Sequence, residues 1–234
     1  MSFMQGSEDV SDESKGVLRD RALAGWEVAS VVSSILIAEW IFFSVAGGSK
    51  LIVAVPVTLA FALMIFSHRL HNETLRDLGF RFDNFFQACL LLLLTMLLAT
   101  ILSVIIGRWF GGKIDYQRWH AGSSIFLQLV LGFGWGLLQQ YALQGFINRR
   151  LQIIWGRGWF TVLVVAAIFA GLHLPNAWLA MATFAGGLVW AWVYQRAPNI
   201  FALALSHSVM TWILVSTLPP KALNHLRIGF KYFG

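Results

Sequence analysis

Long apolar runs, separated by short polar segments, dominate the pattern along this chain. Seven runs occur, each close to the roughly 20 residues that an α-helix needs to cross about 30 Å of hydrocarbon. They lie at about 25–46, 50–67, 85–107, 122–147, 159–175, 177–195 and 199–218. Helices are expected there because an isolated strand would leave its backbone groups unpaired in lipid. The pattern predicts an all-α, polytopic integral membrane bundle of about seven transmembrane helices, with an eighth crossing or a re-entrant segment left open.

Two polar segments lie outside these runs. Residues 1–22 carry mixed charge and are predicted to form a polar N-terminal tail, disordered or lying on the surface, ahead of a membrane domain at 23–234. The tail lacks the basic start and short apolar core of a signal peptide, so the first run is expected to remain as an anchor. The segment 68–84 has apolar residues at helical spacing, which predicts a helix lying in the membrane interface.

The composition agrees with a surface that faces lipid. Hydrophobic residues make up 58% of the 234 positions and charged residues 12%, against about 45–50% and about 25% in soluble domains. The net charge of +6 could suggest nucleic acid, but the basic residues are scattered between apolar runs. They are expected to orient the helices and contact anionic lipid headgroups, with no nucleic-acid partner. Four tryptophans deep in the apolar runs are expected to pack between helices: Trp135, Trp190, Trp192 and Trp212.

Three glutamines occupy the fourth run, where a polar group is costly. Gln139 and Gln140 are adjacent and point about 100° apart on a helix, and Gln144 shares the face of Gln140. Such amides often bridge helices in lipid. Gly132 and Gly136 form a small-xxx-small pair that allows another helix to approach closely.

Two histidines lie in later runs. His173 precedes Pro175, which places it near a helix end or kink. His207 lies in the seventh run, with Thr211 on the same face one turn later. One buried histidine is usually structural, but two of them on separate helices, with glutamines on a third, indicate a site. Histidine titrates near neutral pH and is a common metal ligand.

The spacing of these residues resembles that of the CAAX-protease and bacteriocin-processing family (CPBP, also called Abi), which includes the type II prenyl-protein endopeptidases. Its members have Glu-Glu-x-x-x-Arg, then Phe-x-x-x-His, then His-x-x-x-Asn or Asp. This chain has Gln139 to Gln144, then Phe169 to His173, then His207 to Thr211. The resemblance covers about 73–215. It implies a multi-pass protein of the cell membrane, in particular a bacterial inner membrane, that contacts lipid and cleaves membrane-inserted or lipid-modified peptides.

The resemblance also implies roles for particular positions. In the family, the first glutamate and the histidine of the second motif are thought to activate water, and the last histidine and asparagine to stabilise the oxyanion. The corresponding positions here are Gln139, Gln140, His173, His207 and Thr211. A divalent metal such as zinc on His173 and His207 is left open by the resemblance.

The departures from the family pattern affect the chemistry. Glutamine at 139 and 140 can hold a water but cannot accept its proton, and no Asp or Glu follows Asp115. Glu39, in the middle of the first run, is a candidate alternative base. It is otherwise expected to be protonated or paired with a basic group, since an isolated charge there is costly.

Three functional hypotheses follow. The first is a membrane endopeptidase in which His173 or Glu39 is the base. The second is a catalytically degenerate scaffold, chaperone or immunity protein that binds a membrane partner without cleaving it. The third, a small transporter or channel, lacks the internal repeats typical of such proteins. Whether the protein is an enzyme stays open between the first two.

The distribution of basic residues predicts the orientation. A cytoplasmic tail puts ten Lys and Arg residues inside and seven outside, as the positive-inside rule favours. Reporters fused to successive loops are expected to alternate between sides, beginning with a cytoplasmic tail. Release of the protein from membranes by carbonate without detergent would contradict the integral bundle.

Overall fold

The regular secondary structure is helical throughout the described part of the chain. The computed structural model describes residues 2–42, 44, 50–119 and 123–234. The long helices are α1 (Ser2–Leu36), continued by a π-helix at Ile37–Phe42, α2 (Lys50–Leu70), α3 (Phe85–Trp109), α4 (Ile125–Gln140), continued by a π-helix at Tyr141–Asn148, α5 (Arg149–Trp155), α6 (Trp159–Gly171), α7 (Ala177–Arg196) and α8 (Ile200–Thr217). Short helical turns follow at Pro220–Leu223 (α9), Asn224–Leu226 and Gly229–Phe233.

The loops lie at two opposite ends of the bundle, where hydrogen bonds connect them to one another and to the helix ends. At one, which we call the basic end (loops 71–84, 156–158 and 197–199), Ile200 N donates to Gly79 O at 2.9 Å. At the other, the C-terminal end (110–119, 172–176 and 218–234), Asp115 N donates to Ser216 O and Gly229 N donates to Leu174 O, each at 2.9 Å. Within the described residues, seven helical passes therefore run between the two ends.

The predicted membrane bundle is confirmed. Four helical segments are long and apolar enough to cross a bilayer: Ser14–Phe42, Phe85–Trp109, Ala177–Arg196 and Ile200–Thr217. Shorter apolar helices at Ala54–Leu70 and Trp159–Gly171 form two further passes. The last pass is the α4–α5 rod, the continuous helical segment made of α4, its π-helical continuation and α5. The α3 side chains Leu90, Leu94 and Leu98 are each more than half exposed. A helix with such an apolar outer face is suited to lipid.

The two polar segments have different outcomes. The polar N-terminal residues belong to α1, which begins at Ser2, and their place outside the membrane stays a prediction. The segment 68–84 was expected to be an interfacial helix, and this is wrong, because residues 68–70 end α2 and residues 71–84 form turns and irregular backbone. Thr74 Oγ1 and N both donate to Asp77 Oδ2, and Gly79 has φ 94°. Side-chain bonds of this kind compete with helix formation, and the left-handed backbone at Gly79 prevents a helix from continuing through it.

Two glycines bring α4 and α8 into close contact. A Cβ at Gly136 would lie 3.0 Å from Ala204 O, and one at Gly132 would lie 2.7 Å from Ser208 Oγ. Ser208 Oγ also donates to Leu129 O at 2.9 Å. Small residues permit such an approach in membranes. The contact places the glutamines of the α4 end beside the middle of α8.

A buried ionic cluster ties four elements together at the basic end. Arg150, on α5, is fully buried. Its guanidinium donates to both carboxylate oxygens of Glu73, at 3.1 Å to Oε1 and 2.8 Å to Oε2, and also to Ser67 Oγ. Glu27 Oε2, from α1, lies 2.8 Å from Arg150 Nε. The Nε–H itself points to Ser67, so the Glu27 contact is Coulombic. His68 Nδ1 lies 2.6 Å from Glu73 Oε2.

The partners of Glu73 control its ionisation. Burial alone would raise the pKa of this carboxyl, but hydrogen bonds from His68 and Arg150, the charge of Arg150 and a bond from Arg149 outweigh it. The pKa of Glu73 is therefore held well below its ordinary value of 4.5. A carboxyl with a depressed folded-state pKa stabilises the fold above its unfolded pKa, and this contribution is lost as the pH falls towards the folded value.

Replacing the buried arginine is expected to destabilise the protein strongly. Arg150→Met would leave Glu27 and Glu73 without their central counter-ion, and breaking a buried pair in this way costs about 3–5 kcal/mol. Arg76→Met is the matched control, because Arg76 pairs with Asp83 at an exposed position, where such pairs contribute about 0–1 kcal/mol. Unfolding in detergent measures both.

The same cluster predicts a pH dependence. Wild-type protein should lose stability as the pH falls below about 4.5, and Glu73→Gln should flatten this part of the profile. An unchanged acid limb in Glu73→Gln, or equal losses in Arg150→Met and Arg76→Met, would show that the cluster does not carry this stability.

Candidate active site

His207 is held in the middle of α8 by contacts on two sides. Gln140 Nε2, at the end of α4, lies 3.1 Å from His207 Nδ1, and both residues are buried. The indole of Trp190, from α7, stacks on the imidazole with ring centroids 4.6 Å apart and planes inclined by 5°. Trp190 Nε1 in turn donates to Ser206 Oγ at 2.8 Å. The orientation of the imidazole is thus fixed by a hydrogen bond and by a stacked ring.

The partner of His207 Nδ1 determines where the proton lies. An amide nitrogen donates and does not accept, so Nδ1 accepts from Gln140 Nε2. A neutral imidazole carries its proton on the other nitrogen. His207 is therefore assigned the tautomer with N–H at Nε2, which makes Nε2 a hydrogen-bond donor.

His173 has the complementary arrangement. It follows the C-terminus of α6, and its Nδ1 lies 2.7 Å from the carbonyl oxygen of Phe169. A carbonyl oxygen only accepts, so Nδ1 carries the proton and Nε2 keeps its lone pair. Backbone anchoring of Nδ1–H is a common way to orient a histidine that uses its Nε2.

Phe169 contacts both imidazoles. Its ring lies edge-on to both, with centroid distances of 4.7 Å to His173 and 6.1 Å to His207. One aromatic side chain therefore lies against both histidines. The structure brings Gln140, His173 and His207 together beside this ring.

Gln139 and Thr211 are placed differently. Gln139 Oε1 is buried, with no hydrogen-bond partner among the described residues. Thr211 is half-buried on α8, one turn beyond His207. No hydrogen bond within the described residues joins either side chain to an imidazole. Their roles stay predictions that rest on the family spacing.

Glu39 is paired with a lysine. It lies in the π-helix that continues α1, and its Oε2 is 3.6 Å from Lys231 Nζ of the C-terminal segment. Its backbone packs against Gly229, whose N–H donates to the carbonyl of Leu174 next to His173. Glu39 therefore lies on the His173 side of the bundle, yet its carboxylate has a basic partner. Its role as an alternative base stays a prediction.

The donor set does not fit a zinc ion. Structural and catalytic zinc sites use three or four His, Cys, Asp or Glu side chains. The described residues contain no group of three such side chains placed to bind a metal. Among the described residues, His173 and His207 are thus two ligands without a third, and His207 has its Nδ1 engaged by Gln140. We therefore derive no catalytic step through a metal.

The sequence did not indicate the role of Trp190 beside His207. Its position deep in an apolar run predicted helix packing, which agrees with its burial, whereas the same prediction was wrong for Trp135, which is 61% exposed on the outer face of α4. No spacing rule links position 190 to position 207, because they lie on different helices. The stacking contact emerges only when α7 and α8 are assembled.

Comparison with known proteins identifies a family match over part of the chain. The fold and site define a polytopic helical membrane protein with two histidines and a glutamine pair in its interior. Residues 120–213 match the family model for type II CAAX prenyl endopeptidase Rce1-like proteins. The resemblance to the CAAX-protease family is thereby confirmed for this segment, which contains both histidines and the glutamine pair. No curated protein and no solved structure matched the chain.

Zinc is expected to give no histidine-dependent stabilisation. A specific site filled at 100 times its Kd would add about 2.7 kcal/mol, which a thermal melt in detergent can detect. Wild type and His207→Ala should show the same shift in Tm when zinc is added. A larger shift in wild type, lost in both His173→Ala and His207→Ala, would contradict the two-ligand argument.

Proposed function

We propose that this protein is a membrane endopeptidase that hydrolyses membrane-inserted or lipid-modified peptides in the cell membrane, with a bacterial inner membrane as the expected setting. The observation that carries the proposal is the complementary pair of histidines beside Phe169. One presents an unprotonated Nε2 and the other an Nε2–H donor. Peptide hydrolysis needs a base for water and a donor for the carbonyl oxygen.

His173 is the proposed base. Its Nε2 takes a proton from water as the water oxygen bonds to the scissile carbonyl carbon. The resulting imidazolium returns this proton to the amide nitrogen as the C–N bond breaks, which releases an amine and a carboxylic acid. The Phe169 carbonyl, which accepts the Nδ1–H at 2.7 Å, keeps Nε2 directed towards its substrate. A carbonyl stabilises an imidazolium less than a carboxylate would, so slow hydrolysis is expected.

His207 is the proposed oxyanion donor. Its Nε2–H would bond to the carbonyl oxygen as negative charge develops there, and such donors contribute about 10²–10³-fold in kcat. Gln140 and Trp190 support this role by fixing the tautomer and the plane of the ring.

An apolar cavity supports the substrate class. It has a volume of about 360 Å³, lies between α3, α7 and α8, and includes Trp190 and Met210 in its lining. Its two α3 hydroxyls, Thr95 and Ser103, donate to carbonyls of their own helix. With these hydroxyls engaged, the cavity suits hydrocarbon, such as an apolar side chain or a lipid group of a peptide, better than a polar ligand.

A second function is favoured by a different observation. The acidic pair of the family is replaced by amides, and Glu39 is occupied with Lys231. A site without a carboxylate beside the histidines could bind a membrane peptide without cleaving it. The alternative proposal is therefore a scaffold, chaperone or immunity protein that retains the peptide-binding site.

Restoring the missing carboxylate should separate these functions. Gln139→Glu is expected to raise hydrolysis of a fluorogenic membrane peptide by about 10²–10⁴-fold, the usual contribution of general base catalysis. Gln140→Glu is the matched variant, since it removes the amide that donates to His207, and it should gain less. His173→Ala should abolish the gain, because groups that act as a unit are not additive.

Each other result also has a consequence. If wild type already cleaves the peptide at ordinary rates and Gln139→Glu does not change the rate, the general base is a different residue. Glu39→Gln would then be expected to lose activity. Absence of cleavage in all variants, with retained peptide binding, would reject the endopeptidase and favour the scaffold.

A further inference from the structure

A series of buried amides leads from the basic end of the bundle to the candidate active site. Gln140, Gln144 and Asn148 follow one another at four-residue intervals along α4 and its π-helical continuation, and each has 0% exposure. Gln195 of α7 joins them from the neighbouring helix. Buried side-chain amides are costly in a membrane unless every donor and acceptor is engaged.

The orientation of these amides is fixed from the outer end inwards. Gly158 N–H donates to Gln195 Oε1 at 3.0 Å, so Gln195 turns its Nε2 towards Asn148 Oδ1, 3.3 Å away. Asn148 Nδ2 then donates to Gln144 Oε1 at 2.8 Å and also to the Ala191 carbonyl at 3.4 Å. Since the backbone groups cannot exchange donor and acceptor, none of these amides can be flipped without losing its bonds. Gln144 must keep its oxygen towards Asn148.

This order leaves two complementary atoms without partners. Gln144 Nε2 is a buried donor and Gln140 Oε1 a buried acceptor, and neither has a hydrogen-bond partner among the described residues. They belong to side chains four residues apart, which are neighbours on a helix surface. Each unmet polar group of this kind costs about 1–3 kcal/mol. A group that accepts from one and donates to the other would satisfy both.

We propose that one water molecule is bound between Gln144 Nε2 and Gln140 Oε1, and that it completes a one-directional hydrogen-bond chain that fixes the tautomer of His207. In this chain every amide accepts on the side of the basic end and donates inwards. The water accepts from Gln144 and donates to Gln140. Gln140 Nε2 then donates to His207 Nδ1, which leaves the imidazole proton on Nε2.

Water fits these two atoms better than other small ligands. A cation would be repelled by the N–H of Gln144, and an anion would be repelled by the carbonyl oxygen of Gln140. Buried waters commonly bind two to four polar groups. Gln144, Asn148 and Gln195 become positioning residues for His207, which they do not touch. The inference concerns the site of the proposed function, but it can be tested without any hydrolysis.

The test is ¹⁵N NMR of the His207 imidazole in Gln144→Met and Gln152→Met. Gln152 also lies on this rod, and its Nε2 donates to Asn148 Oδ1 at 2.9 Å. It is a side branch, because Gln195 still donates to Asn148 without it. Gln144→Met removes the inward donor, so that the Gln140 amide can turn over and offer its oxygen to Nδ1. A hydrogen bond worth about 1 kcal/mol corresponds to an approximately fivefold rise in the Nδ1–H form. Gln152→Met should leave the tautomer ratio unchanged.

The water is tested by magnetisation transfer between water and the Gln144 side-chain amide protons in wild type. A cross peak is expected, and it should disappear in Gln140→Met, which removes the second anchor. Thermal melts identify any variant that fails to fold, and Asn148→Leu then replaces Gln144→Met, because Asn148 is the residue whose Nδ2 orients the Gln144 amide. A wild-type Nδ1–H tautomer, equal ratios in the folded variants, or the absence of a water cross peak would overturn the proposal. Loss of hydrolysis alone would leave these spectra unchanged.

Discussion

The organisation of this protein depends on the cost of placing polar groups in a medium that cannot solvate them. Arg150 shows the constraint most directly, because its guanidinium is fully buried and is held by carboxylates from α1 and from the loop after α2. A buried charge with fewer partners would be strongly destabilising. The requirement draws four elements to one point at the basic end. It also explains why the loop at 71–84 folds into turns that deliver Glu73, where its local pattern favoured a helix.

The same constraint operates on neutral groups further inside. Gly132 and Gly136 let α4 and α8 approach until the end of α4 meets His207. At this depth a neighbouring helix supplies the hydrogen-bond partner of His207 Nδ1, and the tautomer of the ring is then a result of packing. His173 receives the opposite tautomer from its own helix, through the Phe169 carbonyl. Two chemically identical side chains thus acquire different properties from the atoms that face Nδ1.

The sequence predicted those features that depend on periodicity and on short-range spacing. The helical passes follow from run length, and the close approach of α4 follows from the spacing of Gly132 and Gly136. The interfacial helix was wrong because Thr74, Asp77 and Gly79 favour turns, and because the hydrophobic pattern could not reveal that Glu73 pairs with Arg150, 77 residues later. The contact between Trp190 and His207 and that between Glu39 and Lys231 also join distant positions. Such pairings depend on helix rotation and tilt, which hydrophobic pattern leaves undetermined.

The π-helix at Tyr141–Asn148 has a geometric consequence for the rod that contains it. A π-segment is equivalent to an additional residue within an α-helix, and each residue of an α-helix advances about 100° around the axis. The two halves of the rod are therefore out of phase. One half presents Gln140 to α8, while the other presents Arg150 to α1 and α2. A continuous α-helix of this sequence would present only one of them to its partners, so the irregular segment lets a single membrane pass serve two separate polar centres.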